Sequence, residues 1–79
     1  MDKKQVFEKV KGYILEQLDV SEDRVVESAS VVEDLGADSA NLMMLVMDLE
    51  SEFNLTVEDE AITTLRTVGD IVDYIAEKA

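Results

Sequence analysis

Apolar residues in this chain recur every three or four positions in three separate stretches, and no stretch shows clean alternation. Val6, Phe7, Val10, Ile14 and Leu18 make the first set, Leu42, Leu45, Val46, Leu49 and Phe53 the second, and Val68, Ile71, Val72 and Ile75 the third. At about 100° per residue each set falls on one face of an α-helix. There is no proline to interrupt a helix, only three glycines, and no hairpin dipeptide. In a chain of 79 residues the compact way to bury three such stripes is to pack them against one another. The expected fold is therefore all-α: a small bundle of three main helices in a single domain over residues 1–79.

The boundaries follow from local chemistry. Asp2 is placed to cap a helix starting near Lys3, with Gln5 three residues later in capping-box-like spacing, and that helix is expected to end near Leu18 or Asp19. Residues 20–37 form a long loop before the second helix, with Val20, Val25, Val31, Val32 and Leu35 as buried anchors. Loops of that length in small domains are uncommon and often functional. Gly36 suits a turn just before the second helix, which runs from Ser39 to Phe53 behind an Asp38 N-cap. A short third helix or turn is expected around Asp59 to Leu65. Thr67 then caps the last helix, with Tyr74 near the edge of its apolar face.

The second helix carries a further apolar group. Ala40, Met43, Met44 and Met47 fall within about 100° of one another, opposite the core stripe. Two readings are open. The short third helix or the long loop covers them, with methionine filling gaps, or they form an exposed, adaptable surface that docks partner enzymes or the chain's own cargo. Asp38, Asp48 and Glu50 would rim such a surface.

Composition excludes several kinds of chemistry. There is no cysteine, hence no disulfide, thiolate metal site or cysteine nucleophile, and no histidine, hence no triad with an imidazole base. A carboxylate or lysine base would need a pKa strongly shifted by burial, which a small helical domain supplies poorly. The net charge is −12, and the stretch between Arg24 and Arg66 holds ten acids and no base. Nucleic acid and anionic membranes are poor partners for that surface, whereas basic proteins are steered toward it. No apolar run approaches the roughly 20 residues of a membrane span, and MDKKQVFEKV has no apolar core of a secretory signal. A cytoplasmic, monomeric protein is expected.

One segment carries a recognisable motif. Gly36, Ala37, Asp38 and Ser39 precede the second helix, with Glu33-Asp34-Leu35 upstream. Leu45-Val46-Met47, Leu49-Glu50 and Glu52-Phe53 follow, and Thr67-Val68 to Asp73-Tyr74-Ile75 close the chain. This arrangement resembles the acyl carrier protein family over nearly the whole sequence. The resemblance implies covalent attachment of 4'-phosphopantetheine from coenzyme A to Ser39 by a phosphopantetheinyl transferase, with Asp38 and Gly36 supporting the site. It also implies that the chain is not an enzyme. The arm's thiol would carry acyl chains as thioesters between acyl-transferring synthases with basic docking surfaces, in fatty acid or related polyketide or lipid biosynthesis.

Ala37 favours the acyl over the peptidyl type of carrier. Ala40 stands where the family usually has a large aliphatic residue, and Asn41 and Met44 stand where it usually has acids. The expected partner face, comprising Ala40, Asn41, Met43, Met44, Met47, Asp48 and Glu50, is thus more apolar than the family pattern. That predicts a specialised carrier with a restricted partner set. On the serine alone, Ser39 reads as an ordinary polar helix-start residue. The alternative function is a small acidic interaction module without an arm, docking through the methionines. A calcium-sensor reading fails for want of an EF-hand loop.

Overall fold

The computed structural model describes residues 2–78. Four helices follow in order: α1, Lys3–Gln17; α2, Ser39–Phe53; α3, Asp59–Ile62; and α4, Val68–Lys78. A single 3₁₀ turn, Glu22–Arg24, interrupts the connection between α1 and α2. Among the described residues there is no strand, only an isolated bridge between Ser30 and Thr67. The all-α bundle expected from the periodicity is what the chain forms.

Each main helix starts where its capping chemistry places it. Asp2 accepts the Lys4 N–H at 3.1 Å and opens α1. The reciprocal half expected from Gln5 does not form among the described residues, where the cap is the aspartate alone. α1 ends at Gln17, with Leu18 already extended and its N–H bonded to the Ile14 carbonyl at 2.8 Å. α2 stops at Asn54, which takes the left-handed conformation (φ 52°) that asparagine tolerates better than most residues. At α4, Thr67 Oγ1 accepts the Asp70 N–H at 3.0 Å while Asp70 Oδ2 accepts the Thr67 and Arg66 N–H groups at 3.2 Å. Threonine and aspartate thus satisfy three donors that the helix start would otherwise leave open.

The three predicted stripes meet in one core. Val6, Val10 and Ile14 of α1, Leu45, Val46 and Leu49 of α2, and Val68, Ile71, Val72 and Ile75 of α4 are all buried. Phe7, Leu18, Leu42 and Phe53 lie half-buried at its margin. Burying each of the larger side chains is worth about 1.5–3 kcal/mol. No polar or charged side chain is fully buried among the described residues, so the core is held by packing alone.

The long connection is pinned to the start of α4. Val31 N–H bonds the Arg66 carbonyl at 3.0 Å, Val68 N–H the Ala29 carbonyl at 3.0 Å, and Gly69 N–H the Glu27 carbonyl at 2.8 Å. Gly69 permits that last approach, because a Cβ there would stand 3.0 Å from the Glu27 oxygen. Val25, Val31 and Leu35 are buried as expected and Val20 is half-buried, but Val32 is 52% exposed. The reason is local: the backbone coils over residues 30–36, with Asp34 N–H on the Ser30 carbonyl and Gly36 N–H on the Val32 carbonyl. Val31 and Leu35, four apart, therefore share the inward side, and Val32 turns out.

Candidate functional site

The connection delivers the chain to α2 through a fixed corner. Leu35 and Ala37 are buried on either side of Gly36, whose φ of 78° reverses the backbone between them. Only glycine takes that conformation without steric cost, and no atom lies within 4 Å of where its Cβ would be. The Ala37 N–H bonds the Val31 carbonyl at 3.0 Å and closes the loop on itself. Outside the corner, Arg24 Nη2 donates to the Asp34 carbonyl at 3.2 Å, and Asp34 Oδ2 accepts the Ser30 N–H at 2.7 Å.

Asp38 and Asn41 cap α2 reciprocally. Asp38 Oδ1 accepts the Asn41 N–H at 2.8 Å, and Asn41 Oδ1 accepts the Asp38 N–H at 3.3 Å. Ser39 is the first helical residue and is exposed, and among the described residues no hydrogen bond holds its hydroxyl. The Ser39 side chain is thus free to react with a large incoming group. The helix end beside it favours an attached anion.

Ala40, Met43, Met44 and Met47 form the exposed side of α2. Met43 is 44%, Met44 57% and Met47 61% exposed, so neither α3 nor the connection covers them. Ser39, Met43 and Met47 are spaced four apart, a single stripe descending from the serine.

The acids of the same helix are engaged within the molecule. Asp48, half-buried, accepts from Gln17 Nε2 at 2.7 Å. Glu50, also half-buried, accepts the Val57 N–H at 2.7 Å. Glu52 accepts from the Tyr13 hydroxyl at 2.6 Å and pairs with Lys9 at 3.5 Å. The Tyr13 hydroxyl, and then Lys9, hold the Glu52 carboxyl below its ordinary range. The same hydrogen bond pushes the Tyr13 hydroxyl up to about 12.

On the other side of α2, a groove of about 610 Å³ opens between the connection, α2 and α3. Val32, Leu42, Ile62 and Leu65 supply its apolar lining, and Glu33 and Arg66 are its charged residues. Leu42, three residues after Ser39, is one wall of it. The outward turn of Val32 thereby becomes intelligible.

The structure brings Gly36, Asp38, Ser39, Asn41 and the methionine stripe together at one end and one side of α2. Asn41, expected to face partners, is half-buried in the cap. The three-residue spacing from Asp38 to Asn41 was the available signal, since an amide can close a capping box as glutamine does. The groove and the intramolecular ties of Asp48 and Glu52 had no counterpart in the sequence, because their partners lie 31 and 39 residues away along the chain.

Comparison with known proteins agrees with this geometry. A family model described as a phosphopantetheine attachment site matches residues 8–75. The chain is 50% identical over 76 residues to the acyl carrier protein of Thermotoga maritima, covering 96% of this chain and 94% of that one. It is also similar to a solved structure of the acyl carrier protein from Enterococcus faecalis, with a TM-score of 0.85, 35% identity and full coverage of both chains.

Proposed function

The chain belongs to the acyl carrier protein family, whose members bear a phosphopantetheine attachment site and act as carriers rather than enzymes, and on that premise we propose that Ser39 is the residue to which the arm is joined. The observation that carries this reading is the exposed, unengaged Ser39 side chain at the first position of a helix fixed by the Asp38–Asn41 cap. Once bound, the arm supplies a terminal thiol that holds acyl groups as thioesters.

The chain's own residues have three tasks. Ser39 Oγ gives up its proton and attacks the pyrophosphate of coenzyme A presented by a phosphopantetheinyl transferase. The phosphodiester forms as the P–O bond to the nucleotide half breaks and adenosine bisphosphate leaves. Gly36 and the buried Leu35 and Ala37 hold the helix start in place during that encounter. Asp34 and Asp38, both exposed, repel the attached phosphate and keep the arm pointing outward. The absence of histidine and cysteine is no obstacle, because the partner enzymes supply the chemistry.

Partner enzymes approach the face made by Ala40, Asn41, Met43, Met44, Met47, Asp48 and Glu50. The ten acids between Arg24 and Arg66 attract those with basic surfaces. Among the described residues no helix is long and apolar enough to cross a membrane; the carrier is proposed to work as a monomer in the cytoplasm. The cargo is an acyl chain of fatty acid or related lipid or polyketide synthesis.

The test is intact mass after incubation of the apo protein with coenzyme A and a broad-specificity phosphopantetheinyl transferase. A gain of one phosphopantetheine in the parent, and none in Ser39→Ala, supports the assignment. No gain in a folded parent, or an equal gain in the alanine variant, overturns it.

A further inference from the structure

We propose that Met43, Met44 and Met47 form a reversible oxidation site: a peroxide converts their thioethers to sulfoxides, the bundle stays folded, and arm transfer to Ser39 slows until the sulfoxides are reduced. The oxidation stands on the methionines alone. Its effect on transfer rests on Ser39 being the attachment residue.

The sulfur of this chain is concentrated in one place. There is no cysteine and there are four methionines, of which Met43, Met44 and Met47 share the exposed side of α2. The fourth, Met1, lies outside the described residues. Methionine oxidation commonly does damage because it puts a polar sulfoxide into an apolar core. Here all three thioether side chains are exposed, and among the described residues no buried core residue is a methionine. The packing of Leu45, Val46 and Leu49 on the other face of the helix is therefore untouched by the added oxygen. Oxidation is thereby separated from unfolding, and a fold that survives both oxidation and reduction is what a reversible switch requires.

Position links these sulfurs to the serine. At about 1.5 Å per residue, Met43 stands about 6 Å and Met47 about 12 Å along the helix axis from Ser39, on the same stripe. An enzyme that reaches the Ser39 hydroxyl covers the first of them. A sulfoxide oxygen there is a strong acceptor, and covering it without a matching donor weakens the encounter. The chemistry balances with a peroxide as oxidant. The sulfur lone pair attacks one peroxide oxygen and the O–O bond breaks. The released hydroxide takes the proton from the transferred oxygen and leaves as water. In the reverse direction two thiols of a reductant become a disulfide, and the sulfoxide oxygen leaves as water. Met44 and Met47 are more exposed than Met43 and are the first to be oxidised.

The test treats the full-length apo protein with hydrogen peroxide, removes the oxidant with catalase, and locates the added oxygen by peptide mass. Melting curves, and rates of arm transfer from coenzyme A by the same transferase, are then measured on treated and untreated protein. Met43→Leu/Met44→Leu/Met47→Leu, which keeps Met1 and the apolar character of the face, is the control. The expected result is one oxygen on each of the three methionines, a melt close to that of the untreated protein, and kcat/KM for transfer lowered about tenfold. Two sulfoxide reductases, one for each epimer, with dithiothreitol as reductant return the rate to within about twofold of the starting value. Treatment leaves the rate of the leucine variant where it was, whatever that rate is. A loss of equal size in the treated leucine variant overturns the proposal, and so does a loss that accompanies unfolding or that the reductases fail to reverse. An untreated parent that gains no arm removes the Ser39 assignment, and this inference with it, whereas normal arm gain that full oxidation does not slow removes this inference alone.

Discussion

Asp38 and Asn41 each accept the other's backbone N–H, at 2.8 and 3.3 Å, and Ser39 is the first residue enclosed by that exchange. The start of α2 is thus fixed by two side chains that have no part in the chemistry. Asp38→Ala is expected to lower stability by about 1 kcal/mol, the usual worth of an N-cap. Asn41→Ala removes only the longer of the two bonds and is expected to cost less. Thermal or denaturant unfolding of the two variants beside the parent measures the difference.

Two glycines fail for opposite reasons when a methyl group is added. At Gly36 the added Cβ meets open space, but the φ of 78° costs an L-residue about 1–2 kcal/mol. At Gly69 the Cβ would lie 3.0 Å from the Glu27 carbonyl oxygen, so Gly69→Ala must displace the 2.8 Å bond that pins the connection to α4. A cost of about 1–3 kcal/mol is expected there. Amide exchange separates the mechanisms: the Gly69 and Val68 amides lose protection in Gly69→Ala and keep it in Gly36→Ala.

Glu50 fixes the loop after α2 by accepting the Val57 N–H. Glu50→Ala leaves that donor without its partner beside a buried valine, at an expected cost of about 1–3 kcal/mol. Glu50→Gln retains an acceptor oxygen and is expected to stay close to the parent. Equal destabilisation of the two in urea unfolding would show that the charge, and not the hydrogen bond, is what matters.

Tyr13 and Glu52 give a pH dependence of known sign. The Tyr13 hydroxyl, raised to about 12 from 10.0, binds its proton more tightly in the folded protein. Its contribution is therefore complete below about pH 10 and disappears as the pH rises through about 12. The Glu52 carboxyl is lowered, so its part of the same link is present above its ordinary range and lost as the pH falls through the folded value. The stability advantage of the parent over Tyr13→Phe is expected to hold at neutral pH and to vanish in strong alkali, as melting curves across that range would show.

The two faces of α2 respond differently to truncation. Leu49 is 1% exposed, and Leu49→Ala is expected to cost about 2–5 kcal/mol, a large part of the stability of so small a domain. Met44 is 57% exposed, and Met44→Ala is expected to change stability by no more than about 0.5 kcal/mol. Comparable losses at both sites in chemical denaturation would mean that the methionines are covered in solution.

What the sequence determined by itself is everything that depends on neighbours along the chain. Asp2, Asp38 and Thr67 mark the helix starts because a cap acts over two or three residues, and the stripes through Val10, Leu49 and Ile71 mark the buried faces because helical geometry is periodic. The motif from Gly36 to Ser39 is likewise contiguous, so the candidate attachment residue could be read directly. Tertiary structure decided the rest. Whether Met43, Met44 and Met47 are covered depends on where α3 and the connection pack, and they pack elsewhere. Val32 turns outward because the backbone coils around it. Asp48, expected to rim the methionine face, and Glu52 are tied to Gln17 and Tyr13, 31 and 39 residues away. A hydrogen bond between residues that distant leaves no periodic trace, because only the packing of α1 against α2 brings its two ends together.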